Sequence, residues 1–215
     1  MINTRRFFFS IFIFLLFSKD GLSQGEGFIR SAILGDFEAS RLDTSKKEGV
    51  FKTSNFYRLD LNFDTYKDGL LIKSLEYAQD LMIFDSKKQL VTSFKLPYIG
   101  HKSGVLKFSL HKIAKNKSLL IIFFSEGSVQ YLEKSSSVRS FFITFNGGVE
   151  KENIFFQKGP VLMEEFVEKK HAHLVTGFLS LKDLNGDGVK ESILNRSKGK
   201  KVIYVLDHKN NWSAY

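Results

Sequence analysis

The sequence predicts an all-β fold built of short antiparallel strands in repeated, blade-like units. A small β-propeller-like arrangement is the first reading, and a β-sandwich is the alternative. Three observations lead there. Residues 56–64 alternate Tyr57, Leu59, Leu61 and Phe63 against Phe56, Arg58, Asp60 and Asn62, the period of a half-buried strand. Short runs rich in Phe, Ile, Val and Leu recur between polar turns such as Asp85-Ser-Lys-Lys, Asn146-Gly-Gly and Asp207-His-Lys-Asn-Asn. Residues 60–71 also repeat as residues 183–194.

Taken in order, residues 1–23 read as a cleaved secretory signal. Arg5 and Arg6 precede an apolar run from Phe7 to Phe17, and Gly21-Leu22-Ser23 sets small residues at the expected cut. That run is shorter than the ~20 residues a membrane-spanning helix needs. Residues 24–215 are then one all-β domain, exported to the periplasm, the cell surface or the medium. Strands are expected at Phe56–Asp64, Leu70–Leu75, Leu81–Asp85, Leu90–Leu96, Val105–Leu110, Leu119–Phe124, Ser140–Phe145, Ile154–Phe156, Leu174–Leu181 and Val202–Asp207. Val161–His171 is the one stretch whose apolar spacing also fits a helix, and Gly127-Ser128 reads as a loop. No later segment is long and apolar enough to be a transmembrane helix.

Composition narrows the function. With 43 % hydrophobic residues and 23 Phe in 215, the chain has apolar surface to bury and does not resemble a disordered protein. Zero Cys excludes disulfide scaffolds, thiolate metal sites and cysteine nucleophiles. The net charge of +9 falls by two without Arg5, Arg6, Lys19 and Asp20. The remaining surplus is spread as Lys46-Lys47, Lys87-Lys88, Lys169-Lys170 and Lys200-Lys201, not clustered with aromatics as in a nucleic-acid footprint.

The repeat carries the chemistry. Asp60, Asn62, Asp64, Lys67 and Asp68 align without a gap with Asp183, Asn185, Asp187, Lys190 and Glu191. A second strand follows each, closing on Asp85 in one copy and Asp207 in the other. A degraded third copy, without the acidic residues, is expected between Leu110 and Leu120. In residues 183–191, Asp183, Asn185 and Asp187 offer side-chain oxygens from alternate positions, Val189 offers its carbonyl, and Glu191 closes the set. Six to eight hard oxygens with several carboxylates are what Ca²⁺ takes, and Gly188 permits the turn. An EF-hand would need a Glu where Leu194 stands, so the loop leads into a strand instead. The same residues would also serve as a plain polar turn between two strands, with no ion.

This pattern resembles the FG-GAP or VCBS-type calcium loop of integrin-like propeller blades. The residues that carry the resemblance are FLSLKDLNGDGVKESIL within 176–207, with a weaker copy over 56–85. The resemblance implies structural Ca²⁺ held by Asp183, Asn185, Asp187, Val189 and Glu191. In the weaker copy it implies Asp60, Asn62, Asp64 and Asp68, with Tyr66 supplying the carbonyl. Thr65 stands where the loop wants Gly, and the phenylalanine-glycine signature ahead of the loop is absent. The implied protein is an exported, calcium-stabilised, non-catalytic β-repeat module that binds or scaffolds an extracytoplasmic protein or glycan.

The alternative is a small secreted hydrolase acting on glycan or ester substrates. It would draw on a carboxylate pair among Glu126, Glu133, Glu164 and Glu165, or on His171 and His173. No nucleophile elbow and no phosphate-cradling glycine loop occurs in the chain.

Overall fold

The computed structural model describes residues 55–215 except 76–77, 98–102, 131–132 and 169–170. At 128–130, 133–134, 167–168, 171–172 and 198 it describes the backbone alone. The signal reading for residues 1–23 lies outside the described residues. Among the described residues there are twelve strands, two short 3-10 turns and no α-helix.

The strands form two antiparallel sheets, each a run of neighbours in chain order. The first sheet is β1 (Asn55–Leu59), β2 (Asp68–Ser74), β3 (Gln79–Phe84) and β4 (Leu90–Leu96). The second begins with β5 (Gly104–Ala114), β6 (Lys117–Gln130), β7 (Glu133–Asn146) and β8 (Ile154–Glu168). It continues through β9 (His171–Lys182), β10 (Glu191–Arg196), β11 (Lys201–Leu206) and β12 (Trp212–Ala214).

Leu119–Phe124 is apolar at every position because both of its faces are covered. Leu120, Ile122 and Phe124, with Phe141, Ile143 and Phe145 of β7, join Leu70, Ile72, Leu81, Ile83 and Leu96 of the first sheet in one core. The alternate residues Leu119, Ile121 and Phe142 enter a second core with Ile113 and Trp212, against half-buried Leu179, Leu181, Tyr204 and Leu206. The β6–β7 hairpin is therefore a middle layer, with β1–β4 on one side and β9–β12 on the other. Strands buried on both faces read as continuous apolar runs and lose their alternation.

One sheet supplies two of these layers by bending. The β7–β8 ladder slips between Val138↔Met163 and Phe141↔Lys158, a bulge that holds Gly159-Pro160. A Cβ on Gly159 would lie 2.5 Å from Ser140 Oγ, so only glycine permits that approach. Pro160 has no N–H to offer a ladder, which confines it to such a site. The bulge carbonyls are capped from β7: Ser140 Oγ–H donates to Pro160 O at 3.0 Å and Arg139 Nη1–H to Gly159 O at 3.3 Å. Past the bend, β9 pairs with β8 up to Thr176 and with β10 from Gly177 onward. Side-chain bonds then hold the last strand over the middle layer. The Trp212 indole N–H donates to Thr144 Oγ1 at 3.0 Å, and the Gln157 amide accepts the Trp212 N–H at 2.6 Å and donates to its carbonyl at 2.5 Å.

Several expectations are corrected. The described residues of Val161–His171 contain no helix; Val161 through Glu168 continue β8, where pairing with β7 and β9 decides the conformation over local spacing. The strand expected over Phe56–Asp64 ends at Leu59, because Asp60 onward is spent on the loop described below. Gly127-Ser128 lies within β6. Between Leu110 and Leu120 there is a hairpin with a tight turn at Lys115-Asn116 and no third loop. Among the described residues the strands form no closed ring of blades; they pack as two sheets.

Phe142 is fully buried, with Trp212 and Tyr204 edge-on at 5.4 and 6.4 Å. Phe142→Ala should cost about 3–5 kcal/mol as a lower urea midpoint, and an exposed-site control such as Lys158→Ala should change it by less than about 0.5 kcal/mol.

Candidate metal centres

Residues 60–68 connect β1 to β2, and residues 183–191 connect β9 to β10. The two loops share one hydrogen-bond scheme in all but one bond, Asp60 taking the Asp64 amide where Asp183 takes that of Gly186, the counterpart of Phe63. In the first, Asp60 accepts the N–H groups of Asp64 and Thr65 at 2.9 and 2.8 Å. In the second, Asp183 accepts those of Gly186 and Gly188 at 2.7 and 3.0 Å. Asn62 donates its amide to Asp64 at 2.8 Å, and Asn185 donates to Asp187 at 2.9 Å. Asp64 accepts the Tyr66 N–H at 2.8 Å, and Asp187 the Val189 N–H at 2.7 Å. The closing carboxylates behave alike too. Asp68 accepts the Leu61 N–H at 3.1 Å and Glu191 the Leu184 N–H at 2.7 Å, and each of these two residues is 4 % exposed.

The equivalence extends past the loops. Asp85 accepts the Gln89 N–H at 2.8 Å, as Asp207 accepts the Asn211 N–H at 2.8 Å, each closing the next hairpin. The meander β1–β4 and the second half of β9 with β10–β12 are thus two copies of one local design, docked on opposite faces of the β6–β7 hairpin.

Backbone geometry separates the twins. Gly186 and Gly188 have φ of 77° and 82°, and a Cβ on either would meet nothing within 4 Å. Glycine is favoured there by conformation and not by space. The first loop holds the same left-handed turns with Phe63 at φ 61° and Thr65 at 82°. A β-branched residue at such an angle is strained by about 1–2 kcal/mol.

Both loops grip the hairpin between β5 and β6. The hydroxyl of Ser118 donates to the carbonyl of Leu61, and Leu61 itself is fully buried. On the other side the Lys190 N–H donates to the Ile113 carbonyl at 2.9 Å. Because a trans peptide points its N–H and C=O in opposite directions, that bond turns the Val189 carbonyl away from the β5–β6 hairpin.

Electrostatics mark the first loop. Asp68 is raised from 3.8 to about 6, first by burial and then by the Asp64, Asp60 and Asp85 carboxylates, with the Leu61 N–H pulling the other way. Beside the second loop, burial pushes the His111 imidazole down, and the Lys190 ammonium adds to this.

The donor set suits a hard divalent cation: carboxylates, an amide oxygen and a peptide carbonyl from alternate residues. In this structure those carboxylates cap the loop's own amides, and among the described residues no three acidic or imidazole side chains converge on one point. A carboxylate oxygen that accepts an N–H keeps a second lone pair for an ion. The residues named from the sequence therefore fall into two separate loops: Asp60, Asn62, Asp64, Tyr66 and Asp68 in one, and Asp183, Asn185, Asp187, Val189 and Glu191 in the other.

No protein-family model matches the chain, and neither the curated proteins nor the solved structures hold a significant match to it. The loops must be read from their own chemistry.

The hydrolase candidates are placed as follows. Glu126 is buried on β6, 3.4 Å from the Arg139 guanidinium and accepting from Ser137 Oγ at 3.3 Å. Glu164 and Glu165 alternate along β8, and Glu165 accepts from Ser136 Oγ at 3.1 Å. Glu133 lies at the start of β7. His173 is exposed on β9, opposite Phe166, with His171 two residues earlier opposite Glu168. No helix among the described residues is long and apolar enough to cross a membrane. The groups that sequence reasoning missed are Ser118 and Ile113, which hold the loops from a distant hairpin. Neither carries a local signal.

Thr65→Gly should stabilise the protein by about 0.5–1 kcal/mol, the relieved strain less the chain entropy that glycine adds. Gly188→Thr should destabilise it by a similar amount, both measured by urea unfolding. Asp68 binds its proton more tightly in the folded chain than in the unfolded one. Its contribution is present below pH 3.8 and is lost as pH rises through about 6. In chelator, Asp68→Asn should therefore flatten the fall in melting temperature across that window.

Proposed function

We propose that the chain is an exported, calcium-stabilised, non-catalytic β-repeat module that binds or scaffolds a protein or glycan outside the cytoplasm. On this reading each loop holds one Ca²⁺ as a structural ion, and each four-stranded meander is a blade-like unit of the propeller kind.

One observation carries the reading. The two loops, 123 residues apart, match in their carboxylate-to-amide bonds except that Asp60 takes the Asp64 amide where Asp183 takes that of Gly186, although only one loop has glycines at the left-handed positions. Loop strain is retained where the surroundings or a ligand over-determine the conformation. Asp68, whose pKa is raised first by burial and then by three other carboxylates, is a place where a cation would offset the charge. Asp60, Asn62, Asp64, Asp68 and the Tyr66 carbonyl would hold one ion, and Asp183, Asn185, Asp187, Glu191 and the Val189 carbonyl the other. Bound Ca²⁺ supplies charge and fixes the strand-to-strand connection, and binding only the folded state adds stability.

Thermal unfolding of the protein in about 2 mM Ca²⁺, in Mg²⁺ and in EDTA tests this. At the 10⁻⁴–10⁻³ M affinities of extracellular modules, each loop should add about 0.7–1.8 kcal/mol, or roughly 2–6 °C. Asp187→Ala should lose much of the calcium shift, and Asp64→Ala a smaller part. Equal melting temperatures in calcium and EDTA would reduce both loops to polar turns.

A further inference from the structure

The ends of β7, β8 and β9 farthest from the two loops bring together metal-ligating residues that the loops do not use. The backbone register places them. His171 on β9 is directly opposite Glu168 on β8, and Glu168 is directly opposite Glu133 on β7. Directly opposed residues lie on one face of a sheet, with Cβ atoms about 5 Å apart. His173, two residues along β9, lies on the same face, about 6–7 Å from His171 along the strand. It is exposed, and the residue opposite it is Phe166, 41 % exposed. Sequence spacing alone brings only the two histidines together; the pairing of β8 with β9 supplies the third group.

The register holds a second sign of a cation. Like charges directly opposite one another destabilise a ladder, and Glu133 and Glu168 are such a pair. Lys134, the next residue on β7, is opposite Val167 and so belongs to the other face. Lys169 and Lys170 lie outside the described residues. The donors also select the metal. Imidazole nitrogen with carboxylate oxygen suits zinc and its neighbours, whereas Ca²⁺ takes oxygen alone. Two His and one Glu are a known zinc set that leaves a fourth position open.

We propose that His171, His173 and Glu168 form a zinc site at the end of the β8–β9 hairpin, with water in the fourth position. Glu133, one strand farther on, adds negative charge beside the ion. The site is separate from the two loops. β6 begins at Lys117, beside the loops, and ends at Gln130, opposite Glu133, about 40 Å along the strand. It also lies past the part of the sheet that either core holds, since among the described residues the cores reach only Phe156 on β8 and Leu179 on β9. The ion ties β8 to β9 where apolar packing does not.

The test is Zn²⁺ binding to the untagged protein, by competition with a chromophoric chelator. About 2 mM Ca²⁺ is kept present so that the loops do not compete for zinc. One zinc should bind per chain. His171→Ala, His173→Ala and Glu168→Gln should each weaken binding by at least about tenfold, since loss of an outer-shell partner alone costs about 10–100-fold. Each should keep its melting temperature in EDTA to within about 2 °C, which shows that it folds. Asp187→Ala and His208→Ala should bind zinc as the parent does. No bound zinc, or zinc binding that all three variants keep, overturns the site. Zinc binding lost in Asp187→Ala but kept in His173→Ala puts the ion in the second loop and overturns it too.

Discussion

Burial of the β6–β7 hairpin on both faces is the constraint from which the rest of the architecture follows. A strand pair with Leu119 through Phe124 on one side and Phe141, Phe142 and Ile143 on the other cannot leave either face in water. Two covers are needed, and the chain makes them from two copies of one four-stranded design. The first copy is a separate sheet. The second is hydrogen-bonded to the middle layer and reaches its far face because the ladder is bulged at Gly159-Pro160 and β9 changes partner from β8 to β10 at Thr176-Gly177.

The covers also place the loops. Each copy brings its strand-to-strand connection to the β5–β6 turn, one through Ser118 and the Leu61 carbonyl, the other through the Ile113 carbonyl and Lys190. The anchors are not equivalent, because the first loop buries Leu61 while the second leaves Leu184 in solvent. Two loops with nearly the same internal bonds are therefore held by different means. The loop anchored through buried Leu61 carries the strained residues and the raised Asp68, and the one with glycines is tied by a backbone bond.

How much of this was legible in the sequence depends on the range of the interaction. The loops were legible because their bonding is local: Asp60 to Thr65 and Asp183 to Gly188 span five residues each. The apolar centres of the strands were legible for the same reason. Their polar ends were not. Ser125–Gln130 and Ser135–Ser137 have little intrinsic preference for strand, and the ladder with neighbouring strands extends them. Trp212–Ala214 is too short to show a period, and it is a strand because Leu206 and its neighbours pair with it. The bend, and the burial of both faces that requires it, is a long-range property that periodicity does not report. It surfaces only as lost alternation.

The doubly buried hairpin has another side. Leu119–Phe124 is six residues of high β-propensity with no charge, no Pro and no Gly, the composition that stacks into steric zippers when bare. It is bare until both covers have folded, and the second cover is assembled from residues that come late in the chain. Lys115 and Lys117 ahead of the run, and Glu126 just past it, stand where charged residues interrupt intermolecular stacking. The segment that gives the native protein its interior is thus the segment through which it would aggregate. Exposure of that segment during folding, before the covers close, is where aggregation would begin.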